Sequence, residues 1–135
     1  MKVLGGTSRA SVITLRKALA DAVSKQSASD AASFASDLFT ILTVLSSSVG
    51  LRRALTDNSR DKSAKAELIS NLFGKNIKAD AQTILATAAS LRWSSPSELA
   101  DAVEHLAVEA QSAAAEKSNE QEALENELFD FARAL

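Results

Sequence analysis

The sequence has no cysteine and no tyrosine, and among its 135 residues it has one proline, one tryptophan, one histidine and four glycines. The absence of cysteine excludes a disulfide framework, a thiolate nucleophile and a zinc site built on thiolates. The single histidine, His105, excludes any metal motif that needs two histidines. We therefore expect no metal and no cofactor.

No apolar run approaches the roughly 18 to 20 residues that a helix needs to cross a bilayer. The opening segment MKVLGGTSRAS lacks the continuous apolar core of a secretory signal. These features predict a soluble, cytoplasmic chain without direct insertion into a membrane.

The residues that are abundant favour helix. The chain contains 26 alanines and 17 leucines, and 46% of its residues are hydrophobic. Alanine and leucine are strong helix formers, whereas strands prefer β-branched and aromatic residues. A chain of this length can bury enough apolar surface for one stable core. The composition predicts an all-α domain.

Apolar residues at helical spacing predict six helices, and capping signals mark some of their ends. The helices are expected at about residues 8–25, 30–49, 51–55, 59–73, 79–92 and 96–116. Gly50 is placed to end the second helix, and Ser95 with Glu98 forms a capping box at the start of the sixth. The segment KSNEQ, residues 117–121, is expected to interrupt the sixth helix.

The last segment carries an apolar stripe of its own, formed by Leu124, Leu128, Phe131 and Leu135. Because this stripe stops without a helix-ending signal, we expect the chain to be a fragment. The fold prediction is thus a six-helix bundle plus a truncated C-terminal helix. The expected domains are residues 1–118, the bundle, and residues 119–135, the start of a following helical unit.

Charge is distributed unevenly along the chain. Residues 1–92 hold 13 basic and seven acidic residues, a net charge of +6, whereas residues 93–135 hold two basic and ten acidic residues, a net charge of −8. The two parts are expected to attract each other or partners of opposite charge. The other interpretation is that these charges only solvate helix faces.

The chain shows no set of catalytic side chains. His105 has Asp101 four residues before it, which could form a carboxylate–histidine pair or be an ordinary surface contact. No serine lies in a GxSxG elbow, and Gly5-Gly6 belongs to no phosphate loop. We therefore predict that the chain is not an enzyme.

A basic cluster surrounds the short third helix and consists of Arg52, Arg53, Arg60, Lys62 and Lys65. Nucleic-acid binding would normally require a basic domain, but the whole chain has a net charge of −2. These side chains are expected to be solvated at helix ends or to contact an acidic protein partner, and we expect no nucleic-acid partner.

The stretch from residue 51 to 110 resembles the delta subunit of bacterial rotary ATP synthases, whose mitochondrial counterpart is the oligomycin-sensitivity-conferring protein. The matching residues are Leu51, Leu55, Thr56, Asp57, Lys65, Glu67, Leu68 and Gly74. The segments RWSSPSELADAVEHLAVEA and ELFDFARAL resemble the longer, actinobacterial form, in which a second helical copy follows the first. Asn58 departs from the usual proline, and Lys78 departs from a common serine or threonine cap.

This resemblance implies a non-catalytic stator subunit, peripheral on the cytoplasmic face of the membrane. Its N-terminal domain would bind the N-terminal helix of an alpha subunit and so link the catalytic head to the peripheral stalk. The peripheral stalk b subunit would be held through the missing C-terminal part. From the sequence alone, a free-standing helical adaptor for another amphipathic helix is the first rival, and a nucleic-acid-associated helical protein is the second.

In the family, the alpha subunit binds in a groove between the first and fifth helices. The residues expected to line such a groove are Ile13, Ala20, Ala81, Leu85 and Ala89. Ile84 and Leu91 are expected to face the core instead. Small residues would allow a guest helix to approach closely. The other interpretation is that the edges of helix five pack only against helices of the same bundle.

Overall fold

The structure is a computed structural model that describes residues 5–135. The first four residues of the opening segment lie outside the described part. Within that part the chain forms six helices: α1 (Gly6–Ser24), α2 (Ala28–Ser47), α3 (Val49–Thr56), α4 (Lys62–Phe73), α5 (Ala79–Ser90) and α6 (Pro96–Ala134). The prediction of an all-α bundle is confirmed.

The bundle is organised around α2 and α6, which pack against each other along most of α2. Apolar spacing predicts a stripe of Phe34, Leu38, Ile41, Leu42, Leu45 and Val49 along the predicted second helix, and four of these residues, Phe34, Leu38, Ile41 and Leu45, are buried in the core. The α2 helix is also apolar enough to cross a membrane by length and composition, with a mean hydropathy of 1.2. Its burial against α6 identifies it as the core helix of the bundle.

Ser48, and not Gly50, separates α2 from α3. Ser48 has an extended backbone, and its hydroxyl accepts a hydrogen bond of 3.1 Å from the Leu51 amide. This is an ordinary N-terminal cap, which allows a new helix to begin with only Ser48 between it and the previous helix. Gly50 lies inside α3, so the prediction that it ends α2 was wrong.

The buried face of α4 differs from the stripe of Ala64, Leu68, Ile69, Leu72 and Phe73 that apolar spacing predicts for this helix. Ala64 is exposed and Leu72 is 46% exposed, whereas Lys65 is only 4% exposed. Ile69 and Phe73 complete the buried face at spacings of four residues. Lys65 was expected to be solvated because it is charged. In the structure its position on α4 places it against α5, where it is buried.

The sixth helix is continuous, so the prediction of an interruption at residues 117–121 was wrong. The segment KSNEQ has no proline or glycine, and its lysine, glutamate and glutamine are good helix formers. Residues 118–135, which we call the overhang, are all exposed. The predicted truncated seventh helix is therefore the end of α6. A domain boundary at residue 118 stays a prediction.

The core assignment predicts contrasting effects of two leucine truncations. Leu45 is fully buried, whereas Leu128 in the overhang is 59% exposed. We expect Leu45→Ala to lower the free energy of unfolding by about 2 to 5 kcal/mol, the usual loss at a buried leucine. Leu128→Ala should change it by less than about 0.5 kcal/mol. Urea denaturation followed by circular dichroism measures both, and equal losses would contradict the core assignment.

Candidate partner-binding site

The structure separates the five residues that were predicted to line a partner groove. Ile13 is 57% exposed and Ala20 is exposed, both on α1. Ala81, Leu85 and Ala89 on α5 are 0%, 1% and 0% exposed. The three α5 residues thus belong to the core and cannot contact a guest helix on the surface of this structure.

The broad apolar arc of α5 explains this difference. The helix packs against α4 on one side and against α1 on the other, so both edges of the arc are already covered within the bundle. Ile84 is buried as predicted. Ala89, which was expected to line the groove, is buried as completely as its neighbour Ala88. Introducing arginine at either alanine would therefore disrupt the core.

Ile13 and Ala20 face α6 rather than α5. They line a shallow groove together with Arg16, Lys17 and Glu109. The Glu109 carboxylate there lies 2.8 Å from Arg16 Nε. This side of α1 is therefore a charged surface rather than a groove of small apolar side chains.

His105 takes part in the same charged cluster, because its Nε2 lies 2.8 Å from the Glu109 carboxylate. The expected partner was Asp101, four residues earlier. Both neighbours are within reach on a helix, and Glu109 also meets Arg16 of α1. The histidine is therefore a partly exposed surface residue, which agrees with the ordinary-contact interpretation.

The surface between α1 and α5 lies on the edge of α1 opposite to Ile13 and Ala20. The two helices run antiparallel, since the Ser11 hydroxyl donates to the Arg92 carbonyl at 2.6 Å and Gln26 Nε2 donates to the Asp80 carboxylate at 3.1 Å. By helical spacing, the partly buried Ala18 and Ala22 share the edge of Ser11.

Thr83 and Thr87 share the face of Asp80, which is the side of α5 that meets α1. Periodicity could not identify these residues as site candidates, because alanine and threonine carry little apolar signal. The α1–α5 surface is thus defined by Ala18, Ala22, Thr83 and Thr87. Its side chains are small and uncharged, as close approach of a helix requires.

The Glu98 carboxylate holds the start of α1, which lies at one end of the α1–α5 surface. Glu98, in the first turn of α6, accepts hydrogen bonds from the Gly5 amide at 3.0 Å and the Ser8 hydroxyl at 2.7 Å. The buried Ser8 hydroxyl in turn accepts from the Ser94 amide at 2.8 Å. A Cβ atom at residue 5 would collide with Ser94 Oγ and lie 3.0 Å from Ser94 Cβ, so any larger residue there would force the Ser94 side chain to move.

This arrangement corrects the predicted capping box. The Ser95 side chain makes no cap hydrogen bond, although Pro96 does occupy the first turn of α6 as expected. Glu98 mainly caps α1, and a smaller backbone hydrogen-bond contribution from Ser95 is the only part of the predicted box that remains. Its hydrogen bonds from Ser8 and Gly5 hold the pKa of the Glu98 carboxyl below its usual value of 4.5. The carboxylate is also favoured by the positive ends of two helix dipoles.

The C-terminal end of α5 is held by two side chains from elsewhere in the bundle. Lys65 Nζ donates to the Ala89 carbonyl at 2.8 Å, and Trp93 Nε1 donates to the Ala88 carbonyl at 2.8 Å. These carbonyls lie in the last turn of the helix, where they have no intrahelical partner of the usual kind. Burial lowers the pKa of the Lys65 ammonium, and the charge of Asp57 opposes that shift.

The predicted basic cluster is only partly a surface feature. Lys65 is buried, and Arg52 Nη1 donates to the Leu45 carbonyl at the end of α2. Arg53, Arg60 and Lys62 remain exposed. With two of its five cations bound to helix ends, the cluster is better explained as helix capping than as a nucleic-acid interface.

The two departures from the family pattern are each compensated locally. The turn at Asn58 forms without proline because the Asp57 carboxylate accepts from both the amide and the hydroxyl of Ser59. Lys78 gives α5 no side-chain cap, but its own amide donates to the Asp37 carboxylate at 3.0 Å.

The described residues, 5–135, contain no group of three or more histidine, aspartate or glutamate side chains arranged to hold a metal ion. The positions with the most specific polar contacts, such as Glu98 and Lys65, connect helix to helix. These polar side chains therefore hold the helices of the bundle in place.

Comparison with known proteins identifies the family. The chain is 44% identical to the ATP synthase subunit delta of Kineococcus radiotolerans over 131 residues, which cover 96% of this chain and 47% of the relative. The subunit delta of Streptomyces coelicolor is 36% identical over 135 residues, covering 100% of this chain and 49% of the relative. The chain belongs to the ATP synthase delta subunit family.

A third delta subunit, from Salinispora tropica, is 37% identical over 129 residues, which cover 96% of this chain and 47% of the relative. No family model matches the chain. The chain spans about half the length of these delta subunits. Membership confirms the resemblance to the actinobacterial delta family and agrees with the expectation of a non-catalytic subunit.

The Glu98 contacts predict a pH-dependent stability difference. A carboxyl with a lowered pKa stabilises the fold fully above its unfolded value, 4.5, and this contribution is lost as the pH falls through the folded pKa. Glu98→Gln keeps the shape but removes the charge, so we expect it to lower stability by about 1 kcal/mol at pH 7. The difference from the unchanged chain should shrink below pH 4.5.

Thermal denaturation of both proteins between pH 3 and pH 7 measures this difference. Glu104→Gln is the matched control, because Glu104 lies on the same helix but is exposed. A Glu98→Gln variant as stable as the Glu104→Gln variant at pH 7 would show that the carboxylate does not anchor α1.

Proposed function

We propose that this chain is part of a structural stator subunit of a rotary ATP synthase. In this role its bundle binds the N-terminal helix of an alpha subunit, which prevents the catalytic head from turning with the rotor. The relatives named as delta subunits support a role in the ATP synthase. The observation that carries the binding proposal is the antiparallel pairing of α1 and α5, which by helical spacing brings the small side chains of the α1–α5 surface to adjacent helix edges.

Both helices of that surface are held at their ends. The start of α1 is bound by Glu98, and just past its end Lys117 Nζ donates to the Gln26 carbonyl at 2.8 Å. The end of α5 is bound by Lys65 and Trp93. A surface that is rigid before binding loses little entropy when a partner docks, and this favours affinity. Rigidity is also what a stator needs under torque.

The same proposal places the subunit at the membrane without inserting it. The apolar face of α2 packs against the bundle, which supports a peripheral subunit, and the resemblance to delta subunits implies the cytoplasmic face of the membrane. Binding of the peripheral stalk b subunit is assigned to the part of the protein beyond this chain, since the relatives are about twice as long. The bundle would then provide the contact with the head.

Calorimetric titration with a peptide of the alpha-subunit N-terminal helix tests the proposal. Ala18→Arg places a long charged side chain at the α1–α5 surface, and we expect it to weaken binding more than tenfold, or about 1.4 kcal/mol. Ala20→Arg is the matched control, because it makes the same change two residues away on the side that faces α6. The melting temperature should change little for Ala20→Arg but fall for Ala18→Arg, because Ala18 is partly buried against the core. The two affinities are therefore compared at a temperature at which both variants are folded.

The opposite pattern, with only Ala20→Arg losing affinity, would place the partner on the α1–α6 side. No binding by the unchanged chain would contradict the proposed function. Binding of unrelated amphipathic helices with equal affinity would instead indicate the general helical adaptor.

A further inference from the structure

The two halves of α1 bury different kinds of side chain. In the second half, Leu15, Leu19 and Val23 pack into the core. In the first half, the buried residues are Ser8 and Ser11, which are 0% and 6% exposed. Burying a hydroxyl costs free energy unless the hydroxyl finds a hydrogen-bond partner. The first half of α1 is therefore held against the bundle by hydrogen bonds more than by apolar packing.

Both hydroxyls bind the segment that joins α5 to α6, residues 91–95, which we call the α5–α6 connection. Ser11 Oγ donates to the Arg92 carbonyl at 2.6 Å, and Ser8 Oγ accepts from the Ser94 amide at 2.8 Å. Residues three apart lie on the same face of a helix, so the two serines point to the same side of α1. They thus bind two backbone groups that are close together on the connection.

The α5–α6 connection is itself fixed to α5. The Trp93 side chain is 9% exposed, and its Nε1 donates to the Ala88 carbonyl in the last turn of α5. The Leu91 amide donates to the same carbonyl at 3.1 Å. A backbone segment held in this way offers Ser8 and Ser11 hydrogen-bonding groups at fixed positions. Their contacts therefore set where the first half of α1 lies relative to α5.

Loss of either hydroxyl would act on α1 before it acts on the core. Without Ser8 Oγ, the Ser94 amide loses its acceptor and the Glu98 carboxylate loses one of its donors. The contact of α2 with α6 is made by apolar side chains such as Leu38 and Ile41, and both serines lie outside it. Removal of a hydroxyl is therefore expected to loosen the first half of α1 and to leave that contact intact.

We propose that Ser8 and Ser11 are positioning residues for the α1–α5 surface. Their hydroxyls seat the first half of α1 on the α5–α6 connection, and this sets the spacing of the two helices that a guest helix meets. This role rests on the proposed function, because the surface it serves is the one proposed to bind the alpha subunit. The two serines do for the first half of α1 what Leu15 and Leu19 do for the second half.

Hydrogen exchange of the free chain, followed by mass spectrometry, tests the seating of α1 without any partner. We expect Ser8→Ala and Ser11→Ala each to speed amide exchange in the first half of α1 about tenfold, the effect of losing one buried hydrogen bond. Exchange within α2 should stay unchanged. Ser24→Ala is the matched control, because Ser24 is exposed and its hydroxyl donates to the Asp21 carbonyl of the same helix. It should exchange like the unchanged chain.

Calorimetric titration with the alpha-subunit N-terminal peptide tests the consequence for binding. At a temperature at which every variant is folded, Ser8→Ala and Ser11→Ala should weaken binding about tenfold, since a guest helix would meet a surface that is no longer fixed in advance. Ser24→Ala should bind like the unchanged chain. Ser11→Thr keeps a hydroxyl at this position and should retain most of the affinity that Ser11→Ala loses, which distinguishes the hydrogen bond from packing.

Unchanged exchange in both alanine variants, or equal acceleration in α1 and α2, would overturn the positioning role, because the serines would then hold either nothing or the whole bundle. Normal peptide binding by variants whose α1 exchanges faster would also overturn this role, while the proposed function would stand. No binding by the unchanged chain would overturn the proposed function and this role with it.

Discussion

Close packing of α6 against its neighbours is the constraint on which the bundle depends. Five of the eight buried residues of α6 are alanines, namely Ala100, Ala102, Ala107, Ala110 and Ala114. Small side chains let helix axes approach closely, and the larger residues of α2, such as Leu38 and Ile41, fill the space between them. Because α1, α2, α3 and α5 all contact α6, its position determines that of the others.

Helix ends supply the second level of organisation. The carbonyls at the ends of α2 and α5 and just past the end of α1 are bound by side chains of Arg52, Lys65 and Lys117. Each cation satisfies a carbonyl and favours the negative end of a helix dipole. Together with Glu98 at the start of α1, these contacts orient the helices that the apolar core alone would hold less specifically.

The prediction of the fold succeeded where periodicity and composition agreed. The apolar stripe of α2 identified the core helix, and the scarcity of glycine and proline predicted helix throughout. It failed at Lys65 and Glu98 because the local pattern there has more than one reasonable interpretation, and contacts distant in sequence decide among them. It failed at residues 117–121 because a polar segment without proline or glycine continues a helix. The spacing of Ser95 and Glu98 predicts a cap within α6, and only the position of Gly5 and Ser8 makes the start of α1 the main partner of the Glu98 carboxylate.

For the candidate site, the sequence alone determined the class of the protein but not which small residues lie at the surface. The family pattern at residues 51–110, the absence of cysteine and the helical composition were all readable directly, because each depends on residue identity or local spacing. Which edge of α1 and α5 faces solvent depends on how α4, α5 and α6 surround one another. Ala89 and Ala18 carry the same weak local signal, yet the first lies in the core and the second at the α1–α5 surface. Only tertiary packing separates them, because the exposure of a small residue is set by its neighbours in space.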